Sequence, residues 1–333
     1  MAILVTGGAG YIGAHVVAAL TEAGRGVVVV DDESTGSRER IPGTPLELLD
    51  VAAPDALDAL ARIMTAHDVD AVIHLAARKR VDESVGVPLW YYQQNVGGLQ
   101  NLLTAMVAAG VRRLVFSSSA AVYGETSQSQ VSEVSPTAPV NPYGRTKLIG
   151  EWLCRDVART GALDVIALRY FNVAGAARPN LGDPAVMNLV TMVIERLRRG
   201  LPPVIYGDDY ATPDGTCVRD FVHVRDLADA HLTAVDALAD GRVTGFDAFN
   251  VGTGEGGSVR EVVERLVELS GSGVTPVIAE RRAGDPAAVV ASAALIGDRL
   301  GWKSRADLRE ILDSAWAADA PRFGTIPAGV SVR

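Results

Sequence analysis

The chain has 333 residues, 48% of them hydrophobic, and a formal net charge of −9. That length suits one large or two modest domains. The acidic balance argues against nucleic-acid binding, which needs clustered Lys and Arg. The short basic groups Arg78-Lys79-Arg80, Arg196/Arg198/Arg199 and Arg281-Arg282 suit a single diphosphate instead. No 18-residue apolar run is present, so no membrane span is expected, and no leader peptide is expected ahead of an apolar run that starts at Ala2. Cys154 and Cys217 stand far apart without metal-ligand partners and fit a reducing, cytoplasmic setting.

Ala2-Ile3-Leu4-Val5 is a short apolar run that predicts a buried parallel strand, and Thr6-Gly7-Gly8-Ala9-Gly10-Tyr11-Ile12-Gly13 follows it. A helical pattern then starts, with Val16, Val17 and Leu20 on its apolar face. Gly8-x-Gly10-x-x-Gly13 in this strand-turn-helix context is a dinucleotide-binding fingerprint. Its glycines permit a tight turn and close approach of backbone to a pyrophosphate, which the helix N-terminus receives. A second strand ends at Asp31, whose carboxylate can accept from adenosine ribose hydroxyls and repels a 2′-phosphate. NAD is therefore expected over NADP, with Arg38 and Arg40 the residues that leave the choice open.

Further strands are expected over 70–75, 112–117, 163–169 and 246–250, in addition to 2–5 and 27–31. Helical patterns lie between them, the rhythm of a doubly wound α/β parallel sheet. After Asn172 the rhythm breaks into a loop over 173–184, a helix over 185–199 and a second loop over 206–220. The expected organisation is a Rossmann-type NAD-binding domain over 1–172 and the first part of a smaller α/β substrate lobe over 173–220. The chain returns to the NAD domain over 221–252. Residues 253–333 are then mainly substrate lobe and tail, the last ten a loose end. The lobes are thus interleaved in sequence.

Tyr143 and Lys147 are four residues apart, so a helix places both on one face. A phenol near pKa ~10 is a poor base at neutral pH, and a nearby ammonium favours its phenolate. The hydroxyls of Ser117, Ser118 and Ser119 end the strand ahead of that helix. A strand-end hydroxyl facing such a pair can share a substrate oxygen with the tyrosine, as proton removal from a secondary alcohol requires. On its own the spacing is common on surface helices; it gains meaning from the cofactor site before it. His67 and His231 are expected to be solvated or capping, His223 structural, and His74 without metal partners, so no metal site is expected.

These motifs resemble the extended short-chain dehydrogenase/reductase family, and within it the UDP-glucose 4-epimerases (UDP-galactose 4-epimerases). The resemblance is carried by Val5–Gly13, His74-Leu75-Ala76-Ala77, Ser117–Gly124, Tyr143–Lys147 and Arg169-Tyr170-Phe171-Asn172. More specific to the epimerases are Tyr206–Tyr210, the run from Asp214 to Val224, and Arg281-Arg282-Ala283-Gly284-Asp285. The resemblance implies that Tyr143 exchanges the proton of a sugar C4 hydroxyl while its hydride is lent to tightly held NAD, Ser119 bonding O4 and Lys147 lowering the phenol pKa. It further implies cofactor contacts at Gly7, Gly10, Tyr11, Ile12, Gly13, Asp31, Asp50, Val51, Leu75, Ala76, Ala77, Lys79, Asn95, Ser117 and Tyr170. Tyr143 and Lys147 are implied to touch the cofactor as well. Implied substrate contacts are Lys79, Ser119, Tyr143, Asn172, Asn188, Val204, Tyr206, Arg219, Arg282, Asp285 and Val289. Taken alone, Arg219 and Arg282 read as surface ion pairs, Asn172 as a turn cap and Asn188 as a helix-face amide.

Two departures bear on the sugar. The 172–188 segment is a few residues shorter than the family pattern and carries Leu181-Gly182-Asp183-Pro184 in place of Gly-Glu-Asp-Pro. Val289 stands where glucose/galactose enzymes carry tyrosine, leaving room for an N-acetyl group at C2. A sugar 4,6-dehydratase would want an acidic pair after the strand-end hydroxyl, where this chain has Ala120 and Ala121. The same scaffold would also serve an enzyme acting on a uronic acid, or a non-catalytic NAD-binding regulator. The resemblance implies a homodimer as well, with 96–108 and 148–158 as candidate interface helices.

Overall fold

The computed structural model describes residues 1–126, 130–282 and 285–323; the loose end expected over the last ten residues, and Ala283 and Gly284 of the arginine run, lie outside them. Seven parallel strands form the main sheet, in the spatial order Phe246–Val251, Asp164–Tyr170, Arg113–Ser119, Val69–His74, Ala2–Thr6, Gly26–Asp31 and Leu46–Leu48. Six of them match the runs expected from sequence. The seventh, the three-residue edge strand Leu46–Leu48, carries too little pattern to announce itself.

Side chains alternate between the two faces of this sheet, and both faces are covered. Ile3, Val5, Val29, Ile73, Val115, Ile166 and Leu168 pack on one side with helices Tyr11–Glu22 and Val224–Ala239. Leu4, Val28, Val72, Leu114, Phe116 and Val165 pack on the other, against helices Ala56–Ala66, Gly98–Ala109 and Pro142–Arg159. A Cβ on Gly150 would stand 2.5 Å from the Phe116 ring, so its absence lets the 142–159 helix settle close to the sheet. Among the described residues no helix is long and apolar enough to cross a membrane.

The second lobe is built on the strand Val218–His223, which pairs antiparallel with Gly256–Ser258 and parallel with Ala288–Ala291 and Asn172–Ala174. Gln130–Val131, far earlier in the chain, adds to the Ala288–Ala291 edge. Val204–Tyr206 and Val277–Ala279 form a separate parallel pair. Helices Leu189–Arg198, Val259–Ser270 and Leu308–Phe323 supply this lobe's core through Val193, Leu197, Val262, Leu266 and Ile311. Ile296, Leu300 and Trp302 pack instead into the main-sheet core, so part of the 253–333 segment belongs with the main sheet.

A buried ion pair crosses the main domain. Arg169 donates from Nε and Nη2 to the two Glu151 carboxylate oxygens at 2.8 and 2.6 Å, and the Ser118 hydroxyl donates to Glu151 Oε1 at 2.5 Å. The side chains are 4% and 0% exposed. Removing one partner of such a pair leaves a buried charge unmatched. Glu151→Ala should lower unfolding stability by about 3–5 kcal/mol in urea melts, and Glu151→Leu combined with Arg169→Met should lose less than either single change. Single variants as stable as wild type would show the pair to be idle.

Candidate active site

The site begins where the strand Ala2–Thr6 meets its glycine loop. A Cβ on Gly13 would stand 2.1 Å from the Gly7 carbonyl oxygen, and one on Gly7, where φ is +71°, 2.7 Å from the Ala76 nitrogen. Only glycine fits either position. The helix Tyr11–Glu22 starts after Gly10 with no side chain bonding its first amides, which leaves those N–H groups for an anion. This bare, positive-ended cradle fits a pyrophosphate.

Asp31 is buried at the end of the next strand, its Oδ2 accepting from Ala9 N at 2.9 Å and its Oδ1 from Glu33 N at 2.8 Å. Burial pushes its pKa up, and these two backbone bonds oppose the rise. The arginines that left the phosphate question open are both engaged. Arg38 clasps the Glu33 carboxylate, and Arg40 Nη2 donates to the carbonyls of Leu181 and Gly182 at 3.1 and 3.0 Å.

A groove of about 340 Å³ runs from this cradle to Ser117 at the strand end; Ser118 and Ser119 are not in its wall. Its wall includes Gly7, Gly10, Tyr11, Ile12, Gly13, Asp31, Asp50, Val51, Leu75, Ala76, Ala77, Lys79, Ser117, Tyr143, Lys147 and Tyr170. Asn95 stands behind the wall. Its Oδ1 accepts from Arg78 N at 2.8 Å, and its Nδ2 donates to Arg78 O and to Thr146 Oγ1, each at 3.0 Å. A side-chain amide so fully used braces the groove and has no donor to spare for a ligand.

At the far end the three serines each engage the tyrosine helix. The Ser117 carbonyl accepts from Lys147 Nζ at 2.8 Å, the Ser118 hydroxyl reaches Glu151, and the Ser119 hydroxyl hydrogen-bonds the Tyr143 phenol. Tyr143, Lys147 and Glu151 are spaced by four, one stripe of one helix. The Ser117 hydroxyl also bonds the Tyr170 phenol. Burial brings the Lys147 ammonium down to about 8. Burial also raises Tyr143, with the Ser119 bond acting to lower it. Lys147 Nζ lies 6.0 Å from the Tyr143 ring centroid and gives its hydrogen bond to Ser117, so in the protein alone burial outweighs the expected lowering by lysine.

His74, beside this centre, bonds Thr6 Oγ1 at 2.7 Å; burial and Lys147 bring it to about 3, so it stays neutral and is no base. His231 differs from its expected solvated or capping role. It is fully buried, donates from Nδ1 to Leu227 O at 2.8 Å and sits 6.0 Å from the Tyr170 ring. His223 caps the Val224–Ala239 helix through Arg225 N. Among the described residues no group of three His, Cys, Asp or Glu side chains could hold a metal.

The remaining expected contacts lie on the second lobe. Arg282 stacks over the Tyr206 ring at 4.0 Å, Arg219 pairs with Asp285 at 3.5 Å, and Val289 stands beside Arg219 in the sheet register. Val289 packs against the cluster of Val122, Tyr123, Leu148 and Phe171, just past Ser119. Val204 starts the strand that ends at Tyr206, and the Asn172 side chain is exposed. Asn188 caps the helix Leu189–Arg198 through Thr191 N and donates to Asp183 Oδ2 at 3.0 Å. It lines a second cavity, of about 480 Å³, rather than the groove. Glu151, Gln94 and Trp90 are contributors that motif reading passed over, and Arg78, read from sequence as part of a short basic group suited to a diphosphate, is engaged by Asp32, Ser34 and Gln94. For Glu151 the signal was present, an acid one turn beyond Lys147 on the same stripe.

A doubly wound sheet, a glycine cradle with an aspartate at the end of the next strand, and a Tyr–Lys pair backed by serines at the groove they share define a NAD-dependent extended short-chain dehydrogenase/reductase. The chain belongs to the NAD dependent epimerase/dehydratase family, whose model matches residues 3–252. It is 47% identical over 310 residues to a UDP-glucose 4-epimerase of Azospirillum brasilense, covering 92% of this chain and 88% of that one. The structure of UDP-glucose 4-epimerase from Brucella ovis in complex with NAD superposes with a TM-score of 0.90 at 40% identity, over 97% and 98% of the two chains. The UDP-Glc/GlcNAc 4-epimerase of Campylobacter jejuni follows with a TM-score of 0.84 at 36% identity, over 96% and 99%.

The depressed lysine has a consequence for stability. Lys147 titrates near 8 when folded and near 10.5 when unfolded, so between those values the unfolded chain holds a proton that the folded chain lacks. Its contribution to stability therefore rises with pH across that window, and below it the cost of burying the ammonium is felt in full. For nucleotide-free protein, the unfolding free energy of wild type minus that of Lys147→Met should increase by roughly 2–3 kcal/mol from pH 7 to pH 10. A pH-independent difference would contradict the shift.

Proposed function

We propose that this protein inverts the C4 hydroxyl of a UDP-hexose, interconverting UDP-galactose and UDP-glucose through a transient 4-keto sugar. The observation that carries the reading is the Tyr143–Lys147 pair, with Ser119 against Tyr143, opening onto the same groove as the glycine cradle. Relatives that share the fold over nearly the whole chain support it. NAD, when bound, takes and returns the hydride at C4 and, while oxidised, adds a positive charge beside Tyr143.

Tyr143 takes the O4 proton and later gives it back. Ser119 bonds both Tyr143 and O4, and so orients the hydroxyl for that exchange. Lys147, fixed by the Ser117 carbonyl, keeps a cation near the phenolate and presents its remaining N–H donors to the nicotinamide ribose. Between the two halves the sugar turns about its phosphate linkage, which offers each face of C4 in turn. Arg219 and Arg282 hold the diphosphate, Tyr206 flanks the base and Asp285 meets the uridine ribose. Arginine forks suit phosphate oxygens because charge-assisted bonds are strong and directional. In this reading the cofactor domain comprises 1–172 and 221–252, and the substrate lobe is drawn mainly from 173–220 and 253–333. We further infer a homodimer: Trp152 and Val107, on the two candidate interface helices, are exposed by half, while Leu99, Leu102 and Met106 serve the chain's own core. The two free, buried cysteines fit a cytoplasmic protein.

The functional test has two parts. Denatured, purified protein should release NAD, and Tyr143→Phe should lower turnover by ~10²–10⁴-fold while UDP-sugar binding survives. Protein with neither bound NAD nor affinity for it, or a fully active Tyr143→Phe, would overturn the reading.

The breadth of the sugar pocket turns on Val289. Its side chain is small and sits in the sheet between Arg219 and the Val122–Tyr123 cluster, next to the reacting end of the groove. UDP-N-acetylgalactosamine should therefore be a second substrate, and Val289→Tyr should suppress it selectively, since a ring there meets an acetamide before a hydroxyl. Parallel kinetics on both sugars decide this. Equal loss of both would assign the position to packing alone.

A further inference from the structure

The groove has a feature that its chemistry does not require. Arg78 follows the strand Val69–His74, on one side of the glycine loop. Asp32 and Ser34 follow Gly26–Asp31, on the other. The three faces of the Arg78 guanidinium are each used. Nη2 donates to Asp32 Oδ2 at 2.8 Å, Nη1 to Ser34 Oγ at 2.6 Å, and Nε to Gln94 Oε1 at 3.1 Å. Ser34 in turn donates to Asp32 Oδ1 at 2.5 Å, which closes a ring of three residues. The Trp90 ring lies beneath the guanidinium at 5.1 Å.

The network runs past the groove on both sides. Gln94 Nε2 donates to Asp50 Oδ2 at 3.2 Å, so the segments that follow Val69–His74, Gly26–Asp31 and Leu46–Leu48 are stitched together across the end of Ala2–Thr6. Arg78, Asp32, Ser34, Gln94 and Asp50 all belong to the wall of the one groove. The Arg78 backbone is pinned through both its N–H and its carbonyl by Asn95, which holds Thr146 on the tyrosine helix. Gln94 and Asn95 sit in a π-helical turn, Gln93–Gly97, between helices Pro88–Tyr92 and Gly98–Ala109. A planar cation with directional donors suits such a three-way junction, and a lysine could not span it.

We propose that Arg78 and Asp32 form a clasp across the adenosine half of the cofactor groove, and that its opening sets the rate at which NAD leaves. The inference rests on the reading of the groove as an NAD site. Asp31 and the cradle supply the contacts that define the nucleotide; the clasp adds a barrier, because the two loops that flank the adenosine cannot separate while one guanidinium joins them. The pair is only partly exposed, with side chains 20% and 29% accessible, so salt screens it less than a surface pair. The Arg78 and Asp32 side chains bond each other, Ser34 and Gln94 and none of Ser119, Tyr143 or Lys147, which separates cofactor retention from turnover. A retained cofactor is what a cycle without net oxidation calls for, since release midway strands a keto sugar.

The experiment is a chase. Enzyme loaded with labelled NAD is diluted into excess unlabelled NAD, and loss of label is followed for wild type, Arg78→Leu, Arg78→Lys and Asp32→Ala. Arg78→Leu and Asp32→Ala should each release NAD roughly tenfold faster, Arg78→Lys should fall between them and wild type, and the double variant should be no faster than Arg78→Leu. Thermal melts of the nucleotide-free variants guard against general loosening, and a faster release seen only where the melt has dropped counts against the clasp. Wild-type release rates in Arg78→Leu and Asp32→Ala, with NAD still bound, would overturn the clasp and leave the functional reading standing. Wild-type protein that binds no NAD would remove the functional reading itself.

Discussion

The Glu151–Arg169 pair is the contact on which the geometry of the catalytic groove depends. Two ions removed from water cost several kcal/mol each, and their attraction returns that only with well-aligned partners, so such a pair is a weak source of net stability. Its consequence is positional. Glu151 belongs to the helix that carries Tyr143 and Lys147, Arg169 to one strand, and Ser118 to the neighbouring strand that also carries Ser117 and Ser119. Sliding the helix by one turn would break the ion pair, the Lys147–Ser117 bond and the Tyr143–Ser119 bond together. The network continues from Arg169 through the Tyr123 hydroxyl at 3.1 Å to Asn250 Oδ1, which ties in the edge strand Phe246–Val251. Gly150, one residue before Glu151, lets the helix come near enough for these bonds to form.

The electrostatics of the centre follow from the same closeness. Burial lowers Lys147, raises Tyr143 and keeps His74 neutral, so the protein by itself stabilises the uncharged form of each group. A general base poised in this way is weak until a positive charge arrives beside it. That restraint fits a reaction whose proton and hydride movements must occur together, since an enzyme-bound phenolate with no oxidised cofactor nearby would serve no step.

Much of this was legible in the sequence because the informative residues are local. The glycine loop with its flanking strand and helix, the Tyr143/Lys147 spacing and the three serines each span a few residues, and each constrains its own neighbourhood. What escaped was long-range. Asn95 is used by Arg78 and Thr146, and Asn188 caps its helix with Asp183 on the other side; neither partnership can be read from the neighbouring residues. The strand Gln130–Val131 is too short to show a period and is defined by an edge contributed more than 150 residues later. His231 carries a polar label on an amphipathic helix, yet the sheet it meets is apolar and its own turn supplies the Leu227 carbonyl as partner. In each case the residue type was informative and the partner was not readable.

The Arg219–Arg282 region of the second lobe shows how the two proposed diphosphate arginines are held. Arg219 Nη1 donates to the carbonyls of Val218 and Pro286, each at 2.9 Å, and its Nη2 faces Asp285 at 3.5 Å. Arg282 rests on the Tyr206 ring. If these arginines meet a diphosphate, Arg219 keeps its two carbonyl bonds and offers, without turning, the Nη2 edge now shared with Asp285. Asp285 is then released from its weak ion pair toward a ribose hydroxyl. The exchange replaces one 3.5 Å carboxylate contact by a charge-assisted phosphate contact, with little side-chain ordering left to do because the carbonyls already fix the guanidinium plane. Arg282 has no such anchor and must leave an exposed stacking contact. The two arginines therefore differ in kind: two backbone carbonyls fix Arg219, and Arg282 rests on one exposed ring and would have to be recruited by the proposed ligand.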